Sequence, residues 1–388
     1  MSRSALYVLL QPLAGPLGCL LSLFLLLVAP GKVQASTLYT GWDGDGSISL
    51  SPPGGSYPRR ASVTLTAAPA PGWVFERWGG DLNSTSNPLT VRMRGDLDAV
   101  AFFRCTSCGD TSGPFVAGQT YMGRNQYIEY RAGELPIIIS APHGGYLMPS
   151  EIPDRTYGTT TGDGWTEELI RQLLPAFQAY LAGTPHLVIN KLDRKKLDAN
   201  RELEEAAQGN PYATQAWYEF HDFLDVAAQE VIDRYGAGLY IDLHGQSDDP
   251  DRLQLGYLLY SNELKLSDTT LNEGGYSELS SIRALSASVE ISFAELLRGP
   301  ESLGGLLESV GYASVPSPES PDPGLEVYYS GGYNTLIHGS QQSGTLDGIQ
   351  IESNMAVRED ELARSSFAEG LAQVVEQYLS THYGFIFP

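Results

Sequence analysis

Two of the six histidines stand where apolar runs end, each with glycine behind it: His143 in APHGG and His244 in DLHGQS. A third apolar run ends in IQIES, which places Glu352 at its exit and Gln350 two residues earlier on the same face. A lone histidine after a strand is ordinarily a structural residue. Two of them at equivalent strand ends suit a catalytic zinc, which takes three protein ligands, commonly His, His and a carboxylate, and keeps one position open. No acid stands three residues after His143, so the compact H-x-x-E ligand pair is absent. The carboxylate is sought among Glu151, Asp154, Asp163, Glu167 and Glu168. We favour Asp163, at the start of DGWTEEL, against its alternative use as a helix N-cap. His143, Asp163 and His244 are therefore the expected metal ligands. Glu352 is the expected general base, since a carboxylate desolvated at a buried strand end titrates nearer neutrality; its alternative is an ion pair with Arg358. The segment LDRKKLDANRE gathers Arg194, Asp198, Asn200 and Arg201. Guanidinium groups match carboxylates as planar forks, and Asp198 is expected to orient Arg201. The alternative is a surface charge run balanced by Glu202, Glu204 and Glu205. Tyr333 and His338 in GGYNTLIHG are expected to line the pocket, whereas His186, His221 and His382 are read as structural.

These residues need a scaffold that brings strand ends together. From Gln119 onward strands alternate with helices. Strands are expected over Leu135–Ala141, Leu187–Leu192, Gly238–Leu243, Leu255–Tyr260 and Gly348–Glu352. Helices are expected over Glu167–Ala182, Thr214–Tyr235 and a C-terminal run carrying Phe367, Leu371, Val374, Val375 and Tyr378. This alternation predicts an α/β domain whose mainly parallel sheet is covered by helices on both faces. Ligands of such sheets bind beyond the carboxyl ends of the strands. Upstream, residues 36–105 carry three or four short strand signals separated by PPGG, APAPG, WGG and RGD, and no helix signal. A Gly/Ser/Thr-rich stretch over 106–118 reads as the linker between this β module and the domain at 119–388.

Residues 1–35 combine Arg3, an apolar run Leu20–Val28 and a small-x-small exit Val33-Gln34-Ala35, the parts of a secretory signal peptide. The run is shorter than the ~20 residues of a spanning helix, so secretion to the periplasm or cell surface is expected, and not membrane integration. Beyond it only Cys105 and Cys108 remain, read as a small disulfide in an oxidising compartment. The net charge of −22, deeper once Arg3 and Lys32 are lost, excludes nucleic acid as a partner, because phosphate binding requires Lys and Arg. Serine-hydrolase and nucleotide-binding motifs, G-x-S-x-G, G-x-x-x-x-G-K-[ST] and strand-linked G-x-G-x-x-G, do not occur.

Two resemblances organise these observations. GDGSISLSPPGGSYPRRASVTLTAAPAPGWVFERWGGDLNSTSNPLTVRMRGDLDAVAFF resembles the divergent InlB B-type bacterial repeat, which implies a spacer or a cell-surface or polysaccharide contact. SAPHGGYLMPSEIPDR, DGWTEEL, RKKLDANRE, DLHGQS, LQLGYLLYS, SGGYNTLIHG and IQIES, in that order over about 119–388, resemble the N-formylglutamate amidohydrolase family, related in fold to zinc carboxypeptidases and aspartoacylase-like deacylases. That resemblance implies a phosphorylase/hydrolase-like α/β fold, one Zn2+ held at the positions of His143, Asp163 and His244, a substrate carboxylate held by Asn200 and Arg201, and an oxyanion role for Arg194. The resulting expectation is an exported zinc amidohydrolase acting on an N-acyl amino acid, peptide or cell-wall fragment with a free carboxylate. Its alternatives are a metallocarboxypeptidase and a non-catalytic surface-binding protein. The long segment Ser261–Pro323, with its SVPSPESPDPG stretch, departs from the family and is expected to lie near the substrate pocket.

Overall fold

Alternation along SVTLTAAP sends Val63, Leu65 and Ala67 to one face of a strand and the residues between them outward. The computed structural model describes residues 35–43, 46–70, 73–105, 109–248 and 250–388. The expected signal peptide (apart from Ala35) and the Cys105–Cys108 pair's side chains lie outside the described residues. The N-terminal module contains seven strands where the sequence predicts three or four: β1 (Ala35–Asp43), β2 (Gly46–Ser51), β3 (Ser56–Pro58), β4 (Ser62–Pro69), β5 (Trp73–Gly80), β6 (Leu89–Arg92) and β7 (Leu97–Cys105). They form a four-stranded sheet, β3-β1-β7-β5, and a three-stranded sheet, β2-β4-β6. Between them lies a core of Val63, Leu65, Trp78, Met93 and Phe103. Among the strands the sequence does not signal are the half-exposed GSISLS and SYP, which carry no apolar run.

The eight strands that follow are β8 (Thr120–Met122), β9 (Ile128–Arg131), β10 (Ile137–Ala141), β11 (His186–Asn190), β12 (Gly238–Gly245), β13 (Leu253–Gly256), β14 (Ser314–Val315) and β15 (Leu346–Ser353). They make one mixed sheet in the order β14-β13-β15-β12-β10-β11-β9-β8. The central strands β15, β12, β10 and β11 run parallel. Strand β13 is antiparallel to β15, and β9 is antiparallel to β11. The predicted strand at Leu255–Tyr260 stops at Gly256, because the chain turns at Leu258 with a positive φ of 65°.

Both faces are covered by helices. Ile137, Ile139 and Ala141 pack with Leu169, Leu173 and Phe177 of the helix Thr166–Leu181, and with Phe367, Leu371 and Val375 of the C-terminal helix Glu361–Tyr383. Ile138 and Tyr240 face the other way, onto Phe220, Phe223 and Leu224 of the helix Pro211–Tyr235. The central strands β10, β12 and β15 therefore bury both of their faces, which is why apolar residues dominate their sequences on both sides. The expected linker is only partly free. Phe115 packs against Tyr121, Tyr130 and Phe223, and Gly118 N–H donates to Ala132 O.

The segment Ser261–Pro323 does not lie at the substrate pocket as expected. Its short helices send Leu264, Leu271, Leu285, Phe293, Leu297, Leu303 and Leu307 into the core on one side of the sheet. The cleft described below takes no residue from it. Among the described residues no helix is long and apolar enough to cross a membrane.

Candidate metal centre

Because β10, β12 and β15 are parallel neighbours, their carboxyl ends meet at one edge of the sheet, where His143 follows β10, His244 closes β12 and Glu352 closes β15. His244 and Glu352 are register partners. Gly145 follows His143 because the chain passes hard against Lys191 at the exit of β11: a Cβ there would meet the Lys191 carbonyl oxygen at 2.3 Å. Asp163 is brought in from the loop before the helix Thr166–Leu181. Its N–H donates to His143 O at 3.0 Å, so two of the three groups share a backbone bond.

The side chains converge. His143 Nδ1 and His244 Nδ1 are 3.2 Å apart, and Asp163 Oδ2 lies 3.3 Å from the first and 3.0 Å from the second. Donors placed ~2.0–2.2 Å from a tetrahedral zinc stand about 3.3–3.6 Å apart. The sides of the triangle, 3.0–3.3 Å, lie at or a few tenths of an ångström below that spacing, so small outward shifts admit such an ion, and all three residues are buried. The outer nitrogens are held as metal-binding imidazoles usually are. His143 Nε2 contacts Asp198 Oδ1 at 2.6 Å, and His244 Nε2 contacts Asp242 Oδ2 at 2.9 Å. Behind Asp242, Ser140 Oγ donates to Oδ1 at 2.6 Å and pairs with Tyr240 Oη at 2.7 Å. The N-cap alternative for Asp163 does not hold. Its carboxylate accepts from Gly245 N and reaches the imidazoles, while the first turn of the helix bonds to its backbone carbonyl.

Burial works against ionising Asp163, yet the two imidazoles outweigh it and hold the carboxyl well below its usual range. Burial likewise opposes charge on His244, but Asp242 and Asp163 hold its pKa well above the ordinary value. Glu352 behaves in the opposite sense: burial pushes it up to about 7, against the pull of the His244 charge. Its one hydrogen bond comes from Gln350 Nε2 at 2.9 Å. The alternative of an ion pair with Arg358 is not realised, since that guanidinium donates to the carbonyls of Gly164, Gln246 and Ser353.

These groups sit in a cleft of about 620 Å3 lined also by Arg194, Asn200, Arg201, Trp165, Tyr329 and Arg358. Trp165 holds a positive φ of 64° there, with its N–H on Tyr146 Oη. Local strain of this kind tends to gather at functional sites. Asp198 is not the partner of Arg201. It accepts from Arg194 Nε at 2.9 Å and supports His143, whereas Arg201 turns to Asn200 O and Glu205. Arg194 also donates to Thr161 O and lies 3.6 Å from Asp163 Oδ1. Asn200 lines the cleft, but its amide is engaged: Nδ2 lies 3.1 Å from His244 Nε2, and Oδ1 accepts from Asn334 N at 2.8 Å.

Two expected pocket residues are elsewhere. Tyr333 packs against Trp217 and His221 and lines an adjoining surface depression that shares only Arg201 with the cleft. His338 stacks on His221 behind the sheet edge, with Nε2 2.9 Å from His221 Nδ1 and Nδ1 3.3 Å from Asp225. Both belong to the short helix Tyr333–His338, whose preceding segment Tyr328–Gly332, and not the helix itself, forms the cleft wall. Tyr329 and Arg358 are the cleft residues that motif reading missed. Tyr329 could have been suspected from the aromatic pair in front of GGY; Arg358 was seen only as a counter-ion. His186 and His382 are structural as expected, bonded to Tyr130 and to Glu301 O.

No curated protein matches the chain. Among solved structures it is similar to an N-formylglutamate amidohydrolase from Ralstonia eutropha JMP134, with 13% identity over 67% of this chain and 99% of that one and a TM-score of 0.40. It is also similar to a gene product of Agrobacterium tumefaciens, with 14% identity over 66% and 95% and a TM-score of 0.41. A third is a succinylglutamate desuccinylase from Chromobacterium violaceum, with 12% identity over 68% and 67% and a TM-score of 0.30. Residues 37–106 match the divergent InlB B-repeat domain family, so the two N-terminal sheets resemble that repeat over their whole length, as their motif order predicts.

Proposed function

We propose that the chain is an exported zinc-dependent hydrolase of amide bonds in N-acyl amino acids, peptides or cell-wall fragments that carry a free carboxylate. The observation that carries this reading is the triangle of His143, His244 and Asp163 donors, with the buried Glu352 at the same strand edge. His143, His244 and Asp163 would hold the zinc ion, which when bound would supply an acidified water and polarisation of a carbonyl oxygen. Glu352, buried at the same strand edge, accepts a proton from the attacking water and returns it to the leaving nitrogen. Asp198 and Asp242 hold the imidazoles in the orientation that turns Nδ1 inward. Arg201 stands at the cleft with a half-exposed side chain and no carboxylate closer than 3.5 Å, which leaves it able to meet an anionic group of the substrate. Arg194, tied to Asp198 and near Asp163, serves as support first and oxyanion contact second.

Export is supported by the composition of residues 1–35 and by the repeat-like module that follows. The test is metal content by elemental analysis for the wild type and His244→Ala, alongside hydrolysis of a panel of N-acyl amino acids and peptides. One zinc per chain, lost in His244→Ala together with turnover, supports the reading. Full zinc in the variant, or a wild type inert toward the whole panel, refutes it.

A further inference from the structure

Arg358 is buried, and its charge faces no carboxylate within hydrogen-bonding reach. A buried guanidinium is expensive unless its N–H groups are met. Here Nε donates to Gly164 O at 2.8 Å, and Nη1 donates to Gln246 O at 2.7 Å and to Ser353 O. Gly164 follows Asp163, Gln246 lies two residues past His244, and Ser353 follows Glu352. Three loops that carry two of the three donors and the base therefore end on one planar group. Gly245 completes the fit: a Cβ at that position would meet the Arg358 Nε and Cζ at 2.6–2.7 Å, so only glycine lets the guanidinium reach the loop after His244. The third nitrogen, Nη2, makes no hydrogen bond within the described residues, and Arg358 lines the cleft.

We propose that Arg358 is a positioning residue for the metal centre: by tying Gly164, Gln246 and Ser353 together it fixes the distances among Asp163, His244 and Glu352. This rests on the metal-hydrolase reading above. Arg358 acts through its neighbours, so the inference does not require it to touch the substrate. Outer residues of this kind commonly change metal affinity or activity 10–100-fold when altered. A lysine keeps the charge but has no planar fork to span three carbonyls, which separates clamping from charge.

The experiment measures zinc affinity by chelator competition, and the visible absorption of the Co(II)-substituted protein, for the full chain and for Arg358→Gln, Arg358→Lys and Gly245→Ala. Thermal unfolding is followed in parallel. Gly245→Ala displaces the guanidinium without deleting it and so stays informative if the Arg358 variants fold poorly. A 10–100-fold loss of zinc affinity and altered Co(II) bands in both Arg358→Lys and Gly245→Ala are expected. Folded variants with wild-type affinity and spectrum overturn the inference, as does full recovery in Arg358→Lys. His244→Ala is the control for the underlying reading. If it loses zinc while the Arg358 and Gly245 variants do not, only the clamp fails; if it retains zinc, the metal site itself is wrong.

Discussion

His143 Nε2 lies 2.6 Å from Asp198 Oδ1, and the other oxygen of that carboxylate accepts from Arg194 Nε at 2.9 Å. Asp198 is fully buried, and the imidazole and guanidinium hold its pKa well below the ordinary range although burial opposes this. The chain Arg194–Asp198–His143 thus fixes the ring with Nδ1 toward Asp163 and His244. Asp198→Asn removes the negative charge and keeps the shape. Zinc affinity should fall about 10–100-fold, measured by chelator competition; an unchanged affinity would show that the ring is oriented by other contacts.

Glu352→Gln should separate proton transfer from binding. The glutamine can still meet Gln350, so the variant is expected to fold and to load zinc. Turnover should drop by about 10²–10⁴, the usual contribution of a positioned acid or base. Steady-state rates on the best substrate of the panel, measured with metal content, decide the matter. Wild-type rates in a zinc-loaded variant would remove Glu352 from the mechanism.

Asp347, on β15 away from the cleft, gives a stability prediction with a definite sign. Burial raises its carboxyl from 3.8 to about 6 in the folded chain, despite hydrogen bonds from Ser340, Leu285 N and Tyr383. Below about pH 4 it is protonated in both states and costs nothing. As pH rises through 6 the folded chain must carry a buried charge, and stability on the order of 2–3 kcal/mol is lost. Asp347→Asn should therefore be more stable than the wild type at pH 8 and nearly equal to it at pH 4. Unfolding midpoints at the two pH values test this; a variant destabilised equally at both would contradict it.

His338 and Tyr333 should prove structural. His338→Ala breaks the bond to His221, whose Nε2 is already buried without a partner, and should cost about 1–3 kcal/mol. Tyr333→Phe should leave KM within twofold. A large KM change with an unaltered melting temperature in either variant would return these residues to the substrate pocket.

The architecture was legible wherever burial is two-sided. Ile137–Ala141, Gly238–Gly245 and Leu346–Ser353 are buried on both faces and rich in apolar residues, so their strand character and their polar exits stood out together. Two corners of the donor triangle, His143 and His244, followed from those exits, while Asp163 comes from the loop before the helix Thr166–Leu181. The sequence could not show which hydrogen bonds the polar residues make. Asp198 reads as a partner for Arg201 because the two are three residues apart, yet the turn at 198–201 sends one inward to His143 and the other to the cleft. His338 and Tyr333 share a motif with the wall at Tyr328–Gly332, but the short helix beginning at Tyr333 carries them past the cleft. The strands β2 and β3 are not legible because half-exposed strands carry little apolar signal.

The Asn200 amide has one more consequence. One end of it rests on His244 and the other receives Asn334 N, just past the wall Tyr328–Gly332. The same wall is tied to β13, where Tyr329 N donates to Gln254 Oε1. His244, a ligand in the proposed metal site, and the rim of the cleft are therefore neighbours through a single side chain. A molecule that pushes on the rim also pushes on the imidazole. Thermodynamic reciprocity then requires that whatever substrate occupancy does to zinc affinity, zinc does by the same factor to substrate affinity. Zinc affinity measured by chelator competition should therefore differ between occupied and empty clefts.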